Sequence, residues 1–143
     1  MFDDENYAQI LKRINSLTPE STSEWGSMNL GQMLAHCAEV QEVGNGKNLV
    51  GTPFIVKLMK GYIRKMVVND KPYPRNSKTH PQYTITEKKD FEKQKRRLTD
   101  ALVELKNAGP VSRKHPIFGE MSGEERGWVS YKHLDHHLTQ FRV

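Results

Sequence analysis

Apolar residues recur along this chain at helical spacing. From Asn6 to Leu17, the positions Tyr7, Ile10, Leu11, Ile14 and Leu17 share one side of a helix. Thr18-Pro19-Glu20-Ser21-Thr22-Ser23 then reads as a loop. A second helix, with Asn29 as N-cap, carries Leu30, Met33, Leu34, Cys37 and Val40 and ends near Gly44-Asn45-Gly46. A third is expected from Pro53 to about Val68, and Asn69 to Tyr83, with three prolines, forms the longest irregular stretch. Thr84 or Thr86 is the expected cap of a fourth helix reaching about Ala108, with Phe91, Leu98, Ala101, Leu102 and Leu105 along its seam. Val111 to Met121 reads as a loop. Ser122 and Glu125 then form a capping box that opens the last helix. No stretch has the two-residue alternation of a strand, so the expected fold is all-α, one domain over 1–143: a four-helix bundle with an additional helix between the second and penultimate core helices.

Composition narrows the class. The 143 residues suit one core. A single cysteine, Cys37, rules out an internal disulfide, fits a reducing compartment and reads as a buried small hydrophobe. The opening residues have neither a basic flank nor an apolar run, so no signal peptide is expected and the cytoplasm is the expected location. The most apolar window, Phe54 to Val68, is interrupted by Lys57, Lys60, Arg64 and Lys65 and does not read as a membrane span. Its apolar residues Ile55, Leu58, Met59, Tyr62 and Met66 lie opposite those charges, as in a core-facing helix with a solvated basic side; the competing reading is a basic face for an acidic membrane or partner. The formal charge of +5 raises the question of nucleic acid. Between Lys88 and Arg97, however, acidic residues are interleaved with the basic ones, and no zinc-finger, helix-turn-helix or RNA-binding motif accompanies the charge, so nucleic acid is not an expected partner. Trp25 and Trp128 are expected to anchor the core near helix starts.

Three of the six histidines crowd into the last helix, in His133-Leu134-Asp135-His136-His137. Residues i and i+4 lie about 40° apart around a helix and one turn apart along it, so His133 and His137 point the same way. Phe141, Leu134, Leu138 and Tyr131 define the buried stripe of that helix, and His137 sits at its edge. His36 occupies a similar margin on the second helix, beside Met33, Cys37 and Val40. One inward histidine and an i,i+4 pair make a three-nitrogen metal site with coordination positions left open. An i,i+4 pair by itself is more often structural, and His80 and His115, each before a proline, are rival third ligands with a rigid turn as their other reading.

These residues carry a resemblance. Trp25-Gly26, Gln32-Met33-Leu34-Ala35-His36 and the closing Tyr131-Lys132-His133-Leu134-Asp135-His136-His137-Leu138-x-Gln140-Phe141 resemble the DinB/YfiT-like superfamily, and with His115-Pro116-x-Phe118-Gly119 they look like its small branch of unknown function. The resemblance implies a four-helix core holding a divalent metal, commonly nickel or zinc, on His36, His133 and His137. It further implies a homodimer and, by analogy with characterised members, metal-dependent transfer of a low-molecular-weight thiol. The segment Gly51 to Tyr83 has no counterpart in the minimal bundle and is placed to reshape or cover the pocket.

Three imidazoles leave a bound cation its full charge, which acidifies a water or thiol for transfer to an electrophile or for hydrolysis of a small substrate. His136, about 60° from the pair, and Glu39 are the candidate proton acceptors, and Gln140, one turn beyond His137, is placed to hydrogen-bond a ligand. The alternative is a non-catalytic stress protein that binds a metal or small ligand.

Overall fold

The computed structural model describes residues 1–143. Helices α1 (Asp4–Ser16), α2 (Leu30–Asn45), α5 (Phe91–Ala108) and α6 (Gly123–Gln140) are the long elements; α3 (Phe54–Leu58), α4 (Lys60–Val68) and a 3-10 turn (Pro81–Tyr83) fall between α2 and α5. A hairpin of β1 (Arg113–His115) and β2 (Gly119–Met121) precedes α6, pairing Arg113 with Met121 and His115 with Gly119.

Local chemistry fixes the helix starts. Asp3 and Asp90 each accept a backbone N–H at the N-termini of α1 and α5, while Asn29 with Gln32 and Ser122 with Glu125 form complete capping boxes on α2 and α6. The four long helices enclose one core of Ile10, Ile14, Leu34, Leu98, Leu102, Leu134, Leu138 and their neighbours. Truncating a side chain such as Leu34 or Leu102, both fully buried, costs roughly 2–5 kcal/mol. Because α2 is covered on nearly every side, polar His36, Glu39, Gln41 and Asn45 are buried with it and must find partners.

Five expectations are corrected. The loop before α6 is the β1–β2 hairpin, whose three-residue strands are too short to show alternation. The helix expected over Pro53–Val68 is two helices, broken at Met59 (φ −89°, ψ 6°). Its apolar face is not core-facing: Ile55, Leu58 and Tyr62 are 56%, 71% and 65% exposed, and α4 is instead docked by Arg64, which donates to the carbonyls of Phe118 and Glu120 and pairs with Glu125. Residues 84–90 do not enter α5, because Gln32 Nε2 donates to the Thr86 carbonyl (3.0 Å) and Thr84 belongs to the 3-10 turn as its C-cap. Trp128 lies at the surface, donating to Asn69 and stacked on Tyr131, and Trp25 is half-buried under Arg75 rather than in the core. Cys37 is buried as expected. No helix is long and apolar enough to cross a membrane.

Candidate metal centre

Packing of α2 against α6 brings His36 opposite His133 and His137. The three rings form a nearly equilateral triangle, with centroids 5.0 Å (36–133), 4.8 Å (36–137) and 4.8 Å (133–137) apart. One nitrogen from each lies within 4.8 Å of the others, and the Nε2 atoms of His36 and His133 are 3.0 Å apart. Two imidazole nitrogens on a tetrahedral zinc stand about 3.4 Å apart, given bonds of about 2.0–2.1 Å. The triangle is therefore close to ligating size as it stands.

The hydrogen bonds behind the rings decide which nitrogens face inward. His36 Nδ1 lies 2.8 Å from the Tyr83 carbonyl oxygen. That oxygen only accepts, so Nδ1 carries the proton and Nε2 is left with a lone pair. His137 Nδ1 lies 2.8 Å from Gln140 Oε1, and Gln140 Nε2 donates to the Trp25 carbonyl at 2.6 Å. A carbonyl partner fixes the amide's orientation, so Oε1 must face His137, Nδ1 there is also protonated, and its Nε2 is also bare. Among three inward nitrogens, only that of His133 can carry a hydrogen. Burial, reinforced by the neighbouring histidines, lowers the pKa of His133 well below the ordinary value and that of His137 to about 3. Burial likewise lowers His36, partly opposed by the bond to Tyr83. Protons are thus a poor answer to these lone pairs, and a cation is a good one.

The segment between α2 and α5 builds the second layer of the site. Its 3-10 turn presents the Tyr83 carbonyl. Gln82, in the same turn, donates to Glu39 Oε1 at 2.8 Å. Tyr73 stands edge-on to His133 (6.5 Å) and His136 (5.9 Å) and under the Lys132 ammonium. Lys132 in turn donates to the carbonyls of Met66 and Asn69, tying the end of α4 to α6.

His136 points aside, its ring 5.8 Å from Trp25 and 5.0 Å from His137. Glu39 is engaged by Lys47, Gln82 and Arg97. Burial would raise its pKa, but those bonds outweigh it and the net shift is downward. His80 and His115 do not join the triangle. His80 caps the 3-10 turn and bonds Thr52, and His115 accepts from Ile117 and Phe118 across the hairpin turn, as a rigid turn before a proline requires. Sequence reasoning missed Tyr83, whose contribution is a main-chain oxygen and so leaves no side-chain signal, and Tyr73.

A helical bundle with three converging histidines defines the class of protein. The chain matches, over residues 2–143, the model of a family described as "Protein of unknown function (DUF1569)", and it belongs to that family. No curated protein and no solved structure matches it.

Proposed function

We propose that this protein is a divalent-metal-dependent enzyme of the DinB-like kind, with zinc or nickel on His36, His133 and His137, that transfers a small thiol to an electrophile or hydrolyses a small substrate. The observation that carries the proposal is the pair of tautomers imposed by Tyr83 and Gln140, which aim two bare Nε2 atoms at a point that the third ring also faces. Three neutral nitrogen donors suit zinc, nickel or copper, and three protein ligands rather than four are the mark of catalytic sites. The bound metal supplies a Lewis acid that makes a water or thiol acidic enough to react at neutral pH.

The protein's own groups do the rest. Tyr83 and Gln140 hold two imidazoles in orientation. Tyr73 and Trp25 place apolar rings beside His136 and restrict water there. We assign proton transfer to His136, which adjoins His137 without belonging to the triangle. Glu39 we assign to positioning: its carboxylate holds Gln82, and so the turn from which the Tyr83 carbonyl reaches His36.

The test is elemental analysis of purified protein beside His36→Ala, His133→Ala and His137→Ala, followed by turnover of a panel of thiols with chlorodinitrobenzene and of a panel of chromogenic esters, with and without added metal. Near-stoichiometric metal lost in all three variants, together with a metal-dependent rate, is expected. Wild-type protein that binds no divalent metal would end the proposal, and metal binding without turnover of any thiol or ester would reduce it to a binding module.

A further inference from the structure

Beside the triangle, between α2, the hairpin and α6, lies a cavity of about 60 Å³. Its wall includes His133, so it adjoins the metal centre. Much of the remainder is apolar, with Val40, Leu105, Phe118, Met121 and Val129, yet two arginines line it too, Arg113 and Arg126, and no carboxylate does. Neither guanidinium has an ion-pair partner anywhere in the protein.

Arg126 is the more telling of the two. It is 7% exposed. Its Nη1 donates to the Val111 carbonyl at 2.7 Å, while Nη2 is buried with no hydrogen-bond partner at all. A buried guanidinium edge is costly to leave unpaired, and natural proteins seldom do so without a ligand to meet it. Burial lowers the pKa of Arg126, and the like charge of Arg113 lowers it further. Arg113 Nη1 passes so near the end of α2 that a Cβ on Gly46 would stand 2.5 Å away, and Gly46, at φ +118°, is a residue without one. His115, whose Nδ1 accepts two backbone N–H groups, keeps its proton on Nε2 and adds a neutral donor to the same wall.

We infer that this cavity is a subsite for a small carboxylate, with Arg126 Nη2 and Arg113 meeting the carboxylate and the hydrocarbon part lying against Val40, Phe118 and Met121. Two guanidinium groups alone would match a phosphate dianion, but the apolar wall and the small number of donors fit a carboxylate with a short hydrocarbon tail better. A water needs about 10–15 Å³ measured this way, so the space takes roughly four to six heavy atoms, the size of acetate to butyrate. The consequence for chemistry, that a carboxylate anchored here presents its other end towards His133, rests on the metal reading; the anion site itself does not.

The experiment separates the two. Chelator-treated protein is titrated with acetate, propionate, butyrate and inorganic phosphate while backbone amide NMR shifts are followed. Saturable shifts at the hairpin and the first turns of α6 are expected with the carboxylates, weakened at least tenfold in Arg126→Gln and unchanged in His36→Ala. Should Arg126→Gln fail to fold, Arg113→Gln, at a less buried position, is expected to weaken binding several-fold. Absence of saturable shifts, equal binding by the folded arginine variant, or tighter binding of phosphate than of any carboxylate would overturn the inference. Cobalt-loaded protein completes the test: a visible spectrum that changes on adding propionate places the anion beside the metal. No cobalt spectrum with propionate binding intact would sink the metal reading alone, and a cobalt spectrum with no propionate binding would sink this one alone.

Discussion

Gln140→Leu is the most revealing single change, because the Gln140 amide serves both halves of the site. Its side chain is buried, with Oε1 on His137 and Nε2 on the Trp25 carbonyl. Leucine fills a similar volume but leaves the His137 Nδ1–H and the Trp25 carbonyl without partners, at about 1–3 kcal/mol each. Part of that is returned by the added apolar burial, so the metal-free fold is expected to lose roughly 2–4 kcal/mol, within what a domain of this size tolerates. The effect on metal is separate. Removing the group that orients a ligating imidazole typically weakens binding about 10–100-fold, or about 1.4–2.8 kcal/mol. Two assays read the two quantities: urea unfolding of chelator-treated protein, and competition for zinc against a chromophoric chelator. Gln140→Glu divides them, keeping an acceptor for His137 but losing the donor to Trp25. Its zinc affinity should stay at or above the wild-type value while its metal-free stability falls. If Gln140→Leu binds zinc within about threefold of wild type, the tautomer argument is wrong, whatever happens to stability.

Zinc or nickel at about a hundred times its Kd should stabilise the fold by about 2.7 kcal/mol; a scanning experiment should show the rise in Tm, reversed by chelator and missing in His36→Ala. Glu39 and Glu42 have carboxyls held below the ordinary 4.5 despite burial, by bonds from Lys47 and Arg97. The stability they contribute is therefore present above pH 4.5 and lost as pH falls through their lower folded values, and urea titrations across that window should show a shallower acid slope in Glu42→Gln. Burial pushes the Cys37 thiol up, so a thiol-specific chromogenic reagent should label it only at the rate of unfolding; Cys37→Ser should cost roughly 1–3 kcal/mol. Leu58→Ser should change stability by less than about 0.5 kcal/mol in urea, since that side chain is 71% exposed.

Where local chemistry decided the outcome, the sequence was a good guide. Asn29 and Ser122 start their helices as their spacing indicates, and the wheel positions of Leu134, Leu138 and Phe141 set the buried side of α6. The three-histidine cluster was legible for the same reason: His133 and His137 are one turn apart on that margin, and His36 lies among core residues. Reasoning failed where a distant partner overrode a local preference. Thr84 and Thr86 are good caps, but the chain there is claimed by the 3-10 turn and by Gln32 on α2. The pattern from Ile55 to Met66 is amphipathic, yet what docks this stretch is Arg64 on the hairpin, so its apolar residues stay outside. Periodicity measures what a helix could bury and is silent on what is there to cover it.

The Trp25-Gly26 pair, in the loop just before α2 but 115 residues from Gln140 in sequence, acquires a physical meaning from that side chain. For the amide to reach both His137 and the Trp25 carbonyl, the chain at residues 25–26 must come very close to the end of α6. A Cβ built on Gly26 would stand 2.7 Å from Gln140 Nε2, and Gly26 has φ +82°, a conformation that side-chain-bearing residues rarely adopt. Glycine is thus required twice over, by space and by backbone. Its effect is transmitted through one amide to the protonation of His137, and so to the lone pair at the centre of the triangle. A Gly26→Ala protein should therefore resemble Gln140→Leu in zinc affinity although residue 26 touches no histidine, whereas a Gly61→Ala protein, where a Cβ meets nothing within 4 Å, should bind as wild type does. Wild-type affinity in Gly26→Ala would mean that the histidines orient themselves and that the loop is scaffolding only.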